Sequence, residues 1–206
     1  WIDNSGEERA YAALQKSFER LGTDYIDLVL VHQPFGDYYG TYRALERAYT
    51  EGTVRSIGVS NFYQDKFYDL AHHCRIIPMV NQLEANVFSQ QTEMREMMNE
   101  YGTKAMAWGP IAQGKENFTE NEVLTETGKR YGKTAVQTAL RFLAQEGIPA
   151  IPKSSKAERM KENIDIFDFE FTEEEMNSLR TLNKADGGTR DYTSLPYVKR
   201  LISQKS

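Results

Sequence analysis

The sequence predicts an α/β chain of strand–helix units, and it favours the (β/α)8 barrel over the open doubly wound sheet built from the same units. Three observations carry this. Apolar runs starting near residues 25, 54, 78, 104 and 148 alternate with helical patterns, the arrangement of parallel strands joined by right-handed crossovers. No Gly-x-Gly-x-x-Gly follows any of these runs, so the dinucleotide fingerprint of the open sheet is missing. Polar residues crowd the carboxyl ends of the runs, at His32-Gln33, Ser60-Asn61, Asn81-Gln82-Glu84, Trp108-Gly109 and Lys153-Ser154. A barrel carries its active site on that face.

Residues 5–21 read as a helix, because Ala10, Ala13, Leu14, Phe18 and Leu21 recur at three-and-four spacing, with Ser5 and Glu8 placed as a capping box and Gly22 as the stop. Tyr25 to Val31 follows as a strand without strict alternation, as expected where both faces are covered, and His32 sits on its last rung. The helix GTYRALERAYTEG, strand VRSIGVSN, helix QDKFYDLAHHC, strand IPMVNQLEAN, helix QQTEMREMMNEYG and strand KAMAWGP continue the alternation. After a longer insertion come the helix KTAVQTALRFLAQEG, with Thr134 and Gln137 as a capping box, the strand IPAIPKS and the helix KAERMKENI. The pair Thr172 and Glu175 with Met176, Leu179 and Leu182 predicts one more helix, and the segment from Gly187-Gly188 to Ser206 is expected to lie over a surface of the barrel.

At 206 residues and 40% hydrophobic content the chain is long enough for one domain, residues 1–206, with a continuous core. A formal net charge of -5 argues against nucleic acid as a partner, since phosphate binding needs clustered Lys and Arg in excess. Cys74 is the sole cysteine, so no intrachain disulfide forms. No run approaches the roughly 20 apolar residues that cross a bilayer, and the first residues lack the basic head and apolar core of a signal peptide. A cytoplasmic location without a membrane partner is therefore expected. His72, His73 and Cys74 point about 100° apart in steps along a helix and cannot converge on one ion, so no metal site is expected. In TGKRYGKT only three residues separate Gly128 from Gly132, where a phosphate loop needs four.

Five ordered motifs together resemble the aldo-keto reductase family over nearly the whole chain. DYIDLVLVHQP is close to the family's fourth-strand signature, GTVRSIGVSNF to its fifth, VNQLEANVF to its sixth, MAWGP to its seventh, and IPKSSKAERMKENI to its eighth strand and following helix. The last is the most specific, with Ile151, Pro152, Lys153, Ser154, Arg159, Glu162 and Asn163 at the family spacing. The resemblance implies a (β/α)8 TIM barrel, of which this chain covers strands four to eight and the C-terminal tail, and reduction of an aldehyde or ketone with NADPH. It implies that Ser60 and Asn61 hold the nicotinamide carboxamide with Gln82 beside them, and that Trp108, followed by Gly109, stacks on the nicotinamide ring. Lys153, Ser154 and Arg159 would bind the adenosine 2'-phosphate, favouring NADP over NAD, and Glu162 and Asn163 would face the adenine. Gln113 and Gly114, in the loop IAQGKENFTENEVL, would contact the pyrophosphate. His32 matches the family histidine that orients the substrate oxygen. Gln33 stands where the family often carries Trp, which makes that wall of the substrate site more polar.

The family's catalytic Asp, Tyr and Lys belong to its first three barrel units, and no position here matches them. Trp1 resembles the Trp that follows the Lys at the end of the third strand. The chain is therefore expected to be the back five-eighths of such a barrel. Two alternatives stay open: an inactive truncated fragment, and a catalytically inactive NADP-binding or accessory protein on the same scaffold, since the potassium-channel β subunits show that the family produces accessory proteins. A metal-dependent hydrolase on the same barrel would need a ligand cluster that the sequence lacks. The expected partner of the leading reading is a small aldehyde or ketone.

Overall fold

The computed structural model describes residues 2–114, 118–185, 188, 190–192 and 194–204, so Trp1, residues 115–117 of the long loop and Gly187 lie outside the described residues. Two units divide the chain. The first takes Trp1–Leu83, Glu93–Ala105 and Asp191–Ser206, and the second Glu84–Thr92 and Met106–Arg190.

The first unit is built on parallel strands β1 (Val29–Val31), β2 (Ile57–Ser60) and β3 (Val80–Glu84), in that order. The first residues of β4 (Lys104–Trp108) continue it, Lys104 donating its N–H to the Met79 carbonyl at 2.9 Å. The register pairs Val31 with Val59 and Ser60 with Gln82. Helices α1 (Glu7–Leu21), α2 (Tyr38–Thr50), α3 (Gln64–His73) and α4 (Thr92–Glu100) supply Leu14, Tyr42, Leu45, Phe67, Leu70, Met94 and Met98, which bury Val31, Ile57, Val59 and Leu83 in one apolar core. Because strand side chains alternate, residues 57 and 59 face that core while 58 and 60 face the other way.

Three expectations for this unit are corrected. The first helix starts at Glu7, and the Ser5–Glu8 capping box does not form: Gly6 is the N-cap, its N–H donating to Asp37 O (3.2 Å) and Thr41 Oγ1 (3.0 Å). The first strand shrinks to Val29–Val31, with Ile26 held by a lone bridge to Val54; Val29 and Leu30 are half-buried rather than covered on both faces. The second helix begins at Tyr38, because the Asp37 side chain accepts from Gly40 N–H at 2.8 Å and caps it earlier than the apolar pattern indicates.

In the second unit α5 (Glu122–Lys129), α6 (Ala135–Gln145), α7 (Ala157–Ile164) and α8 (Glu173–Arg180) bury Leu124, Leu140, Phe142, Leu143, Met176 and Leu179. The capping boxes Thr134–Gln137 and Thr172–Glu175 form as predicted. The insertion before α6 contains α5, with Asn121 as N-cap accepting from Leu124 N–H at 3.1 Å. The predicted strand 148–154 is absent as a strand. Pro149 and Pro152 have no N–H to give to a ladder, and what remains is one parallel bridge, Ala107 N–H to Pro149 O (2.8 Å) and Ile151 N–H to Ala107 O (3.1 Å). Beneath it lies a cavity of about 600 Å³ lined by Leu140, Ile148, Met160, Asn163, Ile164 and Phe167. The tail adds α9 (Leu195–Ser203), which belongs to the first unit and was not expected from the apolar pattern. No helix among the described residues is long and apolar enough to cross a membrane.

Candidate functional site

In the first unit the strand register lines up three of the expected residues. Val31 pairs with Val59, so His32 and Ser60 follow at the same level, and Ser60 pairs with Gln82. All three lie on the sheet face turned away from the helix-packed core. Hydrogen bonds join the row. Ser60 Oγ donates to the Gln82 carbonyl (3.0 Å), and the Asn61 N–H donates to the same carbonyl (2.9 Å). Asn61 Nδ2 donates to His32 O (3.3 Å) and to Ser60 Oγ (3.0 Å).

Asn61 makes this geometry by adopting φ 62°, a left-handed conformation uncommon for residues other than glycine and best tolerated by asparagine. It is buried, as is Ser60. His32 keeps solvent-exposed surface, but the protein packed around it lowers its pKa below the ordinary 6.5, so the ring is neutral at neutral pH. Gln33, next to it, is buried; its Oε1 has no hydrogen-bond partner among the described residues. Both residues also border a cavity of about 210 Å³ that lies mainly between α1 and β1, lined by Ala10, Leu14, Ser17 and Val31 among others.

The second unit holds the other expected residues in two places. Trp108, half-buried, is the last residue of β4, and its carbonyl accepts from Ala85 N–H at 3.2 Å. Gly109 follows with φ 61°, close to the buried Glu84 and to Gln113. Ala112 and Gln113 then both take positive φ, 47° and 54°, in a short 3-10 turn that ends at Gly114. Gln113 and Gly114 are exposed there. Two successive non-glycine residues in this region store backbone strain, which proteins concentrate at ligand-contacting turns.

Lys153, Ser154 and Arg159 gather around the start of α7. The helix has Lys156 at its N-cap and no side-chain cap, so its first N–H groups face outward. Ser154 Oγ accepts from Lys156 N–H at 3.1 Å. Lys153 and Arg159 are exposed, and among the described residues neither makes an ion pair. Glu162 differs from a free ligand contact, since its Oε1 accepts from the Thr134 hydroxyl at 2.7 Å. Asn163 turns to the apolar cavity. His72 and His73 are exposed and Cys74 half-buried; among the described residues no group of three His, Cys, Asp or Glu is placed to hold a metal ion.

Residues 1–184 match the family described as the aldo/keto reductase family. The chain belongs to the aldo/keto reductase family. It is 43% identical over 185 residues to the glyoxal reductase of Bacillus subtilis (strain 168), covering 89% of this chain and 66% of that protein. This chain thus spans just under two thirds of that relative's length. Among solved structures, an aldo-keto reductase from a Medee basin deep-sea metagenome library superimposes with a TM-score of 0.88 at 36% identity, covering 94% of this chain and 71% of that one. The Bombyx mori aldo-keto reductase in complex with NADP gives a TM-score of 0.81 at 33% identity, over 89% of this chain and 66% of that one. The parallel α/β fold described above is that of the aldo/keto reductases.

Two features of this aldo/keto reductase escape the motif reading. Asn81, fully buried, donates from Nδ2 to Phe62 O at 2.6 Å and so fixes the loop that follows Asn61. Its neighbours in VNQLE gave that signal only as one more polar residue in a strand. Arg190, in the tail, places its guanidinium carbon 5.1 Å from the centre of the Trp108 ring. No local pattern announces that contact.

Proposed function

We propose that this protein is an NADPH-dependent reductase of small aldehydes or ketones, contributing strands four to eight and the tail of one (β/α)8 barrel domain. The observation that carries the reading is the pair of exposed cations, Lys153 and Arg159, without an ion pair among the described residues and beside the start of α7, which has no side-chain cap. A phosphate monoester fits this set. It takes charge-assisted hydrogen bonds from an ammonium and a guanidinium, and the helix dipole adds to them. NAD lacks the 2'-phosphate, so the set favours NADP.

The remaining residues fit the rest of the dinucleotide. The exposed turn at Gln113 and Gly114 is the candidate pyrophosphate contact; Asn163 and the carboxylate oxygen of Glu162 that Thr134 does not take are the candidate adenine contacts. Ser60, Asn61 and Gln82 offer an amide and hydroxyl array for the carboxamide, and Trp108 a flat partner for the nicotinamide. When bound, NADPH supplies the hydride. His32, neutral, donates a hydrogen bond to the carbonyl oxygen and orients it, so that negative charge growing on that oxygen is met by a donor already in place. Gln33 forms the neighbouring wall, and the reading favours a small substrate such as the dialdehyde for which the Bacillus relative is named. The family's proton donor, its Tyr with Lys and Asp, has no matching position here, so turnover needs the first three barrel units.

Titrating NADPH and NADH into the 206-residue protein, then following NADPH oxidation with a series of small aldehydes, tests the reading. The expected result is binding of NADPH in preference to NADH, with that preference lost in Lys153→Ala/Arg159→Ala. A charge-assisted hydrogen bond contributes about 1.5–3 kcal/mol, so each cation removed weakens NADPH binding by roughly 10-fold or more. Equal affinity for both dinucleotides refutes the assignment. Binding without oxidation of NADPH by any aldehyde is expected of this chain alone. If it persists when the first three barrel units of such a reductase are joined to the chain, the accessory-protein alternative holds instead.

A further inference from the structure

We infer that Arg190 sets the balance between oxidised and reduced cofactor by sharing the Trp108 ring with it; this rests on Trp108 being the nicotinamide platform. The guanidinium carbon lies 5.1 Å from the ring centre, within cation–π range. The tail around it is close to the strand ends: a Cβ on Gly188 would sit 3.8 Å from Ser89 Oγ and 3.9 Å from Glu84 Oε2. Trp108 is half-buried, so its usable aromatic surface is limited, whereas Arg190 is exposed.

An aromatic face is electron-rich and attracts cations. Oxidised nicotinamide is a cation and reduced nicotinamide is neutral. A guanidinium on the same indole therefore competes with both rings for the surface but repels only the oxidised one. Arg190 weakens NADP+ binding more than NADPH binding. In a reductase this favours departure of the spent cofactor, and it makes Arg190 a specificity-determining residue for the oxidation state rather than for the phosphate.

The test uses the 206-residue protein carrying Trp1→Phe, which leaves Trp108 as its sole tryptophan. In that background Arg190→Ala and Arg190→Lys are compared with the parent. Acrylamide quenching without cofactor reads whether Arg190 shields the ring, and titration with NADPH and NADP+ reads the two affinities. Arg190→Ala is expected to raise quenching and to tighten NADP+ by roughly 2- to 5-fold, the size of an exposed cation–π contact, while NADPH changes less. Arg190→Lys, which keeps the charge but not the planar fork, should retain part of the discrimination. An unchanged ratio of the two affinities in Arg190→Ala overturns the inference and leaves the cofactor reading standing. So does a parallel loss of both affinities, the mark of a merely structural role. If neither dinucleotide binds the parent, the cofactor reading itself fails and the inference falls with it.

Discussion

Replacing Asn61 by alanine removes three things at once, and their sizes can be worked from its surroundings. The left-handed φ of 62° costs an L-residue other than asparagine or glycine about 1–2 kcal/mol. The two hydrogen bonds from Nδ2, to His32 O and Ser60 Oγ, contribute about 0.5–1.5 kcal/mol each. Asn61→Ala is therefore expected to lose about 2–5 kcal/mol, which for a chain of this size lowers the melting temperature by roughly 4–20 °C. Asn61→Gly keeps the backbone conformation at no steric cost and loses only the side-chain bonds and some chain entropy, so it should melt above Asn61→Ala. Thermal unfolding followed by circular dichroism separates the two contributions. An alanine variant within about 0.5 kcal/mol of the parent, or a glycine variant that melts below the alanine one, refutes the reasoning. Because the same side chain ties His32 to Ser60, both variants should also bind NADPH more weakly than their stability alone accounts for.

Two further outcomes are expected. Burial pushes the Glu175 carboxyl up, but hydrogen bonds from the Tyr131 hydroxyl, the Thr172 backbone and Arg130 outweigh it and leave its pKa below the ordinary 4.5. A depressed folded-state pKa gives stability that is full above the unfolded value and lost as the pH falls through the folded one. The gap in melting temperature between parent and Glu175→Gln should then narrow as the pH drops below 4.5, and a gap independent of pH would sink the assignment. Burial, and next the Glu46 carboxylate, push the Cys74 thiol up to about 11. Ellman's reagent at about pH 8 should therefore label the native protein far more slowly than the protein in urea, since the thiolate is the reactive form. Glu46→Gln should speed the native reaction; equal rates in parent and variant would count against the electrostatic part.

What could be read in the sequence was what short-range chemistry decides. The boxes Thr134–Gln137 and Thr172–Glu175 close between residues three apart on one helix, so the local pattern suffices. Ser5–Glu8 has the same spacing and fails, because Asp37 and Thr41 reach the Gly6 amide from across the chain. The stretch 148–154 is apolar enough for a strand, yet its prolines leave a single backbone pair. For the candidate site, the strand-end residues His32, Ser60 and Gln82 were legible because strand ends are where a barrel exposes side chains, and the register puts them in one row. The Asn61 bonding that joins that row, and the Arg190 contact with Trp108, depend on tertiary placement that no local motif encodes.

The lone bridge between Ala107 and Ala150 has a consequence for how tightly any ligand could be held. Opening that one pair frees the stretch ahead of Lys153 and Ser154 without disturbing α6 or the capping box of that helix. Amide hydrogens of Ile151 and Ala107 should accordingly exchange with deuterium through local opening, faster than those in β2, whose residues are paired on both sides. If that local opening is appreciable, the apparent affinity of a ligand gripping Lys153 is its intrinsic affinity scaled by the fraction in which the segment is docked. Slowed exchange at those two amides would then report occupancy of the proposed phosphate-binding corner before any chemistry takes place.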